Sequence, residues 1–101
     1  MSNKREIGDE FEDEVFKILE VKKTPNSGAM FNDGDGTAKG CIFELKVKNT
    51  NNDFKAPSKE LKKLRGQADK RFKDWVYIQK NKGGSQVLMD LQFFIQLWKK
   101  L

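Results

Sequence analysis

Histidine is absent from this 101-residue chain, and cysteine occurs once. Without histidine there is no Ser/His/Asp triad, no histidine general base and no nuclease centre built on a His–metal finger. A lone Cys41 forms no intrachain disulfide, and a Cys/His zinc site lacks its ligands. Any metal site must therefore be made of oxygen donors, which favours Mg²⁺, Mn²⁺ or Ca²⁺. Long apolar runs are also missing: none approaches the roughly 20 residues needed to span a bilayer. The stretch from Met1 to Glu14 is polar and acidic, unlike a secretory signal. Together these absences predict a cytoplasmic protein with no membrane partner.

The composition is 37% hydrophobic and 35% charged, a polar balance for a chain of this length. The length predicts a single domain over 1–101 with one core, the kind of small domain that dimerisation helps. The net charge of +5 is unevenly spread. Residues 1–20 carry seven acids and three bases, whereas residues 45–82 carry twelve bases and four acids. The second half thus matches a polyanion, nucleic acid being the leading candidate beside an ordinary lysine-rich surface.

Periodicity predicts a helix over residues 5–20, with Ile7, Phe11, Val15, Ile18 and Leu19 in one arc. Glu10, Glu12 and Glu14 fall at or beyond its edges, and spacing does not say which of them faces inward. Thr24–Gly40 reads as a glycine-bearing loop with a short strand around Ala29–Phe31. Ser27 and Gly28 are candidates there for close approach to a phosphate. Cys41–Val47 alternates as a strand with Cys41 on its apolar face. Ser58 is the expected N-cap of a second helix, whose buried stripe is Leu61, Leu64, Ala68 and Phe72, with Gln67 and Arg71 on one flank. Trp75–Gln79 and Gln86–Met89 form a hairpin across Asn81–Gly84. Asp90 caps a last helix with the stripe Phe94, Leu97, Trp98 and Leu101. Trp75, Tyr77 and Trp98 are read as core before they are read as base-stacking residues.

The chemistry concentrates at Asp35, Glu44 and Lys46. Period two sets Glu44 and Lys46 side by side on the face opposite Cys41, Phe43, Leu45 and Val47. Carboxylates that hold a metal, beside an ammonium that orients water or balances charge, are the parts of a Mg²⁺-dependent phosphodiester hydrolase. The pair alone also suits an exposed strand face. A calcium loop is the competing metal pattern, because Asp33, Asp35, Thr37 and Glu44 occupy its positions 1, 3, 5 and 12. Ala38 stands where that loop needs glycine, and a strand follows where it needs a helix.

The chain resembles the PD-(D/E)XK nuclease superfamily, and within it the small Holliday junction resolvases of archaea and phages. Gly8, Phe11, Glu12 and Val15 fit the first-helix pattern, and Ser27, Gly28 and Ala29 fit a Ser-Gly-small loop. Gly34 and Asp35 with Glu44, Leu45 and Lys46 fit the metal motif, and Gln67 fits the polar position on the next helix. The match covers roughly residues 5–72. It departs from the family in having Gly34 where a proline usually precedes the aspartate, and Asp33 competes with Asp35 as the ligand.

The resemblance implies an α/β (α+β) restriction-endonuclease-like core: a central mixed sheet flanked by helices, in the order α-β-β-α-β-β-α. It implies Mg²⁺ (or Mn²⁺) held by Asp35, Glu44, the Leu45 carbonyl and Glu12. Glu12, Asp35, Glu44, Lys46 and Gln67 would be catalytic, and Ser27, Lys48, Lys63 and Arg71 would contact DNA. The implied function is endonucleolytic cleavage of branched DNA by a homodimer in the cytoplasm of a bacterial or phage-infected host cell. The alternatives are a nuclease of duplex DNA and a non-catalytic nucleic-acid-binding protein on a decayed nuclease fold.

Overall fold

The computed structural model describes residues 4–24, 34–48 and 58–101. Their order is α1 (Lys4–Leu19), β1 (Lys22–Lys23), β2 (Gly36–Ala38), β3 (Cys41–Val47), α2 (Ser58–Lys70), β4 (Asp74–Asn81), β5 (Gly84–Met89) and α3 (Leu91–Lys99). The fold is α+β, with three helices and a five-stranded mixed sheet among the described residues, ordered β1-β2-β3-β4-β5. Only β3 and β4 run parallel, and α2 makes the crossover between them.

Two apolar layers lie on opposite faces of β3 and β4. Phe11 and Phe16 of α1 pack on Cys41, Leu45, Val76 and Ile78, joined by the half-buried Phe43 and Val47. Leu64 and Ala68 of α2 pack on Ile42 and Tyr77. Strand β3 is thus buried on both sides, and its charged residues share a face with Ile42 and helix α2 instead of facing water. A core strand of this kind carries apolar residues on both pleats where parallel pairing covers it with helices.

The inward arc of α1 differs from the one expected. Ile18 is 73% exposed, and Leu19 is also exposed, whereas Phe16 is buried. The helix turns its Phe11–Phe16 side to the sheet because Phe16 meets Phe43 edge-on, ring centroids 6.2 Å apart. That rotation carries Glu12 inward and leaves Glu10 and Glu14 exposed. The side chain of Ile7 lies outside the described residues.

Two other expectations change: Trp98, read as core, is 64% exposed on α3, and two short strands join the sheet. Strands β1 and β2 fall on segments read as helix end and loop, adding one short strand to the order. They form because Gly36 sits where a Cβ would lie 2.7 Å from the Phe16 ring and 2.9 Å from the Lys22 carbonyl oxygen, so only glycine lets the strand in. The expected strand at Ala29–Phe31 lies outside the described residues. Ser58 is the first described residue of α2, and Asp90 caps α3 as expected, accepting from the Gln92 N–H at 3.0 Å.

Phe72 is the largest departure. It leaves the buried stripe of α2 and is 98% exposed, because the helix stops at Lys70. The Phe72 N–H donates to the Asp69 carbonyl and the Lys73 N–H to the Ala68 carbonyl, which closes a Schellman turn. Phe72 occupies its left-handed position at φ 55°, where glycine is the unstrained residue. Helix α1 ends in the same way at Glu20, φ 57°, with the Val21 N–H donating to the Phe16 carbonyl.

Among the described residues no helix is long and apolar enough to cross a membrane. The helix-end geometry makes a stability prediction: Phe72→Gly stabilises the chain by about 1 kcal/mol by relieving the left-handed strain. Urea unfolding of the two proteins checks it.

Candidate functional site

Strand β2 stops short, and the site is built at the notch it leaves. It pairs with β3 only as far as Gly36 opposite Phe43. Beyond that point no strand among the described residues lies beside the edge of β3, and Asp35 takes over. The Asp35 N–H donates to the Phe43 carbonyl at 2.8 Å, and its carboxylate accepts from the Leu45 N–H at 2.8 Å. A side chain thus replaces the missing ladder bond and fixes Asp35 against β3. By strand geometry the Leu45 carbonyl points to the same open edge as its N–H.

Gly34 makes this turn possible. Its φ is +63°, and a Cβ there would lie 2.6 Å from the Phe43 carbonyl oxygen and 2.9 Å from Ile42 Cγ2. Proline, whose ring holds φ near −65°, is incompatible with that backbone.

Three carboxylates meet around the notch with different partners. Glu44 reaches Lys46, Nζ to Oε1 3.5 Å. Glu12, from α1, lies 3.8 Å from the Lys23 ammonium, which bonds Asp13 more closely at 3.2 Å. Burial pushes Glu44 up to about 7, and the charge of Asp35 adds to it against the pull of Lys46. Burial likewise pushes Glu12 up to about 7, with Asp35 again adding to it and Lys23 opposing. Asp35 is itself raised by burial, held back by the Leu45 N–H and by Lys46. Asp35 is therefore the middle member, coupled to a glutamate on either side. The two nearby lysines do not offset the cost of bringing these carboxylates out of water together.

On the α2 side, the Tyr77 hydroxyl donates to Gln79 Oε1 at 3.0 Å and lies 3.5 Å from Glu60 Oε2. Glu60 also meets the Lys48 ammonium at 3.8 Å. Tyr77 is raised well above its ordinary value by burial and by the Glu60 charge. Because Tyr77 pairs in register with Glu44, and Gln79 with Lys46, this polar group continues the same face of the sheet.

The structure ties Asp35 to Leu45 and Glu44 to Lys46, and leaves Glu12 within electrostatic reach of Asp35. Gln67 is half-buried on α2, on the flank that carries Glu60. Lys48 is tied to Glu60, Lys63 is exposed and Arg71 is half-buried. Ser27, Gly28, Ala29 and Asp33 lie outside the described residues. Sequence reasoning missed Lys23, Glu60 and the Tyr77–Gln79 pair at this site. The alternation of Tyr77 with Gln79 on β4 was visible, but the register that sets them beside Glu44 and Lys46 was not.

The donor types suit a hard divalent cation, carboxylates made basic by burial with a backbone carbonyl beside Asp35, but their positions do not form a closed ligand set. Among the described residues no three acidic or thiol side chains converge on a single ligating point. No protein-family model, curated protein or solved structure matches the chain.

The raised carboxyls give the chain a pH dependence. Glu12 and Glu44 hold protons up to about pH 7 in the folded chain but ionise from about 4.5 when unfolded. Their contribution is thus complete below about 4.5 and is lost as pH rises through about 7. In metal-free buffer, urea stability falls between about pH 5 and pH 8, and Glu44→Gln flattens that fall.

Proposed function

We propose that this protein is a Mg²⁺- or Mn²⁺-dependent endonuclease of the PD-(D/E)XK type, with a restriction-endonuclease-like core, that hydrolyses phosphodiester bonds in branched DNA. The observation that carries the reading is the half-buried Asp35, anchored on the Leu45 amide beside a Glu44–Lys46 pair, where no described strand flanks the edge of β3. The sequence resemblance supplies the substrate class, and the excess of bases over residues 45–82 suits a phosphate backbone.

Asp35, Glu44, the Leu45 carbonyl and Glu12 would hold the cation. When bound, it supplies Lewis-acid polarisation of the phosphoryl oxygen and charge stabilisation for the departing 3′-oxygen. The Lys46 ammonium, beside Glu44, orients the attacking water and balances charge gathering on the phosphate. Gln67 orders the α2 side of the site. The Asp35 carboxylate stays in place because the Leu45 amide fixes one of its oxygens, which leaves the other for the metal.

The cleavage experiment uses labelled four-way junction and matched duplex, with Mg²⁺, Mn²⁺ or EDTA. The junction is cut only with metal, and Glu44→Gln lowers the rate at least about 100-fold while junction binding in EDTA persists. Cutting of both substrates points to the duplex nuclease. Salt-sensitive binding with no cutting under any metal points to the non-catalytic binding protein.

The homodimer belongs to the same proposal, and α3 is its seat. This helix has no buried residue, and Leu91, Phe94, Leu97 and Trp98 are exposed on it, with Leu101 just beyond. Trp98 is 64% exposed and, among the described residues, stacks on Phe94, ring centroids 6.1 Å apart. A second copy laid antiparallel covers this face and sets Asp90 of each chain against Lys99 and Lys100 of the other. That pairing of opposite charges at both ends is why we assign a second copy as the occupant. Trp98→Glu converts the dimer to a monomer in sedimentation equilibrium. A wild-type chain that is already monomeric at high concentration overturns the assignment.

A further inference from the structure

The exposed Phe72 is in the wrong place for stability. Its backbone is left-handed at φ 55°, where glycine fits best, and its ring is 98% exposed. Lys70, Arg71 and Lys73 surround it in the chain. The Asp74 N–H donates to the Gly40 carbonyl at 2.9 Å, which brings the Lys39–Gly40 turn to the same end of the molecule. This end carries Lys39, Lys70, Arg71 and Lys73 against two acids, Asp69 and Asp74. A strained backbone that displays a large side chain to water is an outlier of the sort found at binding positions.

We propose that Phe72 is a stacking platform for an unpaired base of single-stranded DNA, with the surrounding lysines and Arg71 meeting its phosphates. The inference rests on the nucleic-acid part of the reading above but not on cleavage. An apolar protein partner fits poorly here, because lysine is depleted from the centres of protein interfaces and flanks Phe72 in the chain. A base has a π-face for the ring and a phosphate for each nearby ammonium, a combination that binds single strands with little regard to sequence. Duplex DNA, whose bases are already stacked on one another, gains nothing from the ring. Phe72 lies at the end of α2 away from Glu60, so this contact sits beyond the notch that holds Asp35 and Glu44.

The test is fluorescence anisotropy in EDTA at low salt, with a labelled oligothymidylate and a blunt duplex as probes. Wild type, Phe72→Gly and Phe72→Trp are compared. Phe72→Gly weakens oligothymidylate binding about ten-fold or more, leaves duplex binding within about two-fold, and Phe72→Trp restores the single-strand affinity. Urea unfolding of the same preparations shows the glycine variant at least as stable as wild type, so the loss is not unfolding. Unchanged oligothymidylate binding in Phe72→Gly, or an equal loss on both probes, overturns the platform and leaves the nuclease reading standing. A wild-type chain that binds neither probe, nor a four-way junction, overturns both.

Discussion

The hydrogen bond from the Leu45 amide to the Asp35 carboxylate holds the rest of the site together. Strand β2 is three residues long and β3 is seven, so among the described residues more than half of the outer edge of β3 has no strand beside it. An unpaired amide at half-buried depth is costly, and the Asp35 side chain satisfies it. That satisfaction fixes one acid beside another, Glu44, at the open edge. The tight turn needed to aim Asp35 requires a left-handed residue before it, which Gly34 supplies. Shortened strand, glycine and carboxylate are therefore one device.

The electrostatics follow from the same arrangement. Glu12 comes in from α1 because Phe16, in the last turn of the helix, sets the helix against Phe43. Glu44 comes in from β3 because α2 covers that face through Leu64 and Ala68. Each glutamate is then carried to about 7 by burial, with Asp35 between them. A fold selected for stability alone would avoid such a group or pair it fully. A metal-binding centre needs it, since carboxylates that are poorly compensated by their own protein gain most from a divalent cation.

Elements with a strong local signal were legible in the sequence. The period-two run Cys41–Val47, the Asn81–Gly84 turn and the Asp90 cap were read correctly because neighbours in the chain decide them. Weak local signals failed. Strands β1 and β2 are two and three residues long and exist only through pairing with a stronger strand. The arc of α1 was misjudged because Ile18 and Leu19 match the period as well as Phe16 does, and only the ring contact with Phe43 separates them. Phe72 was placed in the core because its spacing continues the Leu64–Ala68 stripe, although the helix ends two residues earlier.

The sequence by itself determined which donors are available: no histidine, one cysteine, and Asp35, Glu44 and Lys46 close together in the chain. It also determined that Glu44 and Lys46 share a face, because a strand's period is fixed by backbone geometry. The tertiary structure alone decided that Glu12, rather than Glu10 or Glu14, turns inward. It alone brought Lys23, Glu60 and Tyr77 to the site and turned Phe72 out to solvent. Those outcomes depend on strand register, helix rotation and where a helix stops. Contacts between residues far apart in the chain set all three, and no local pattern records them.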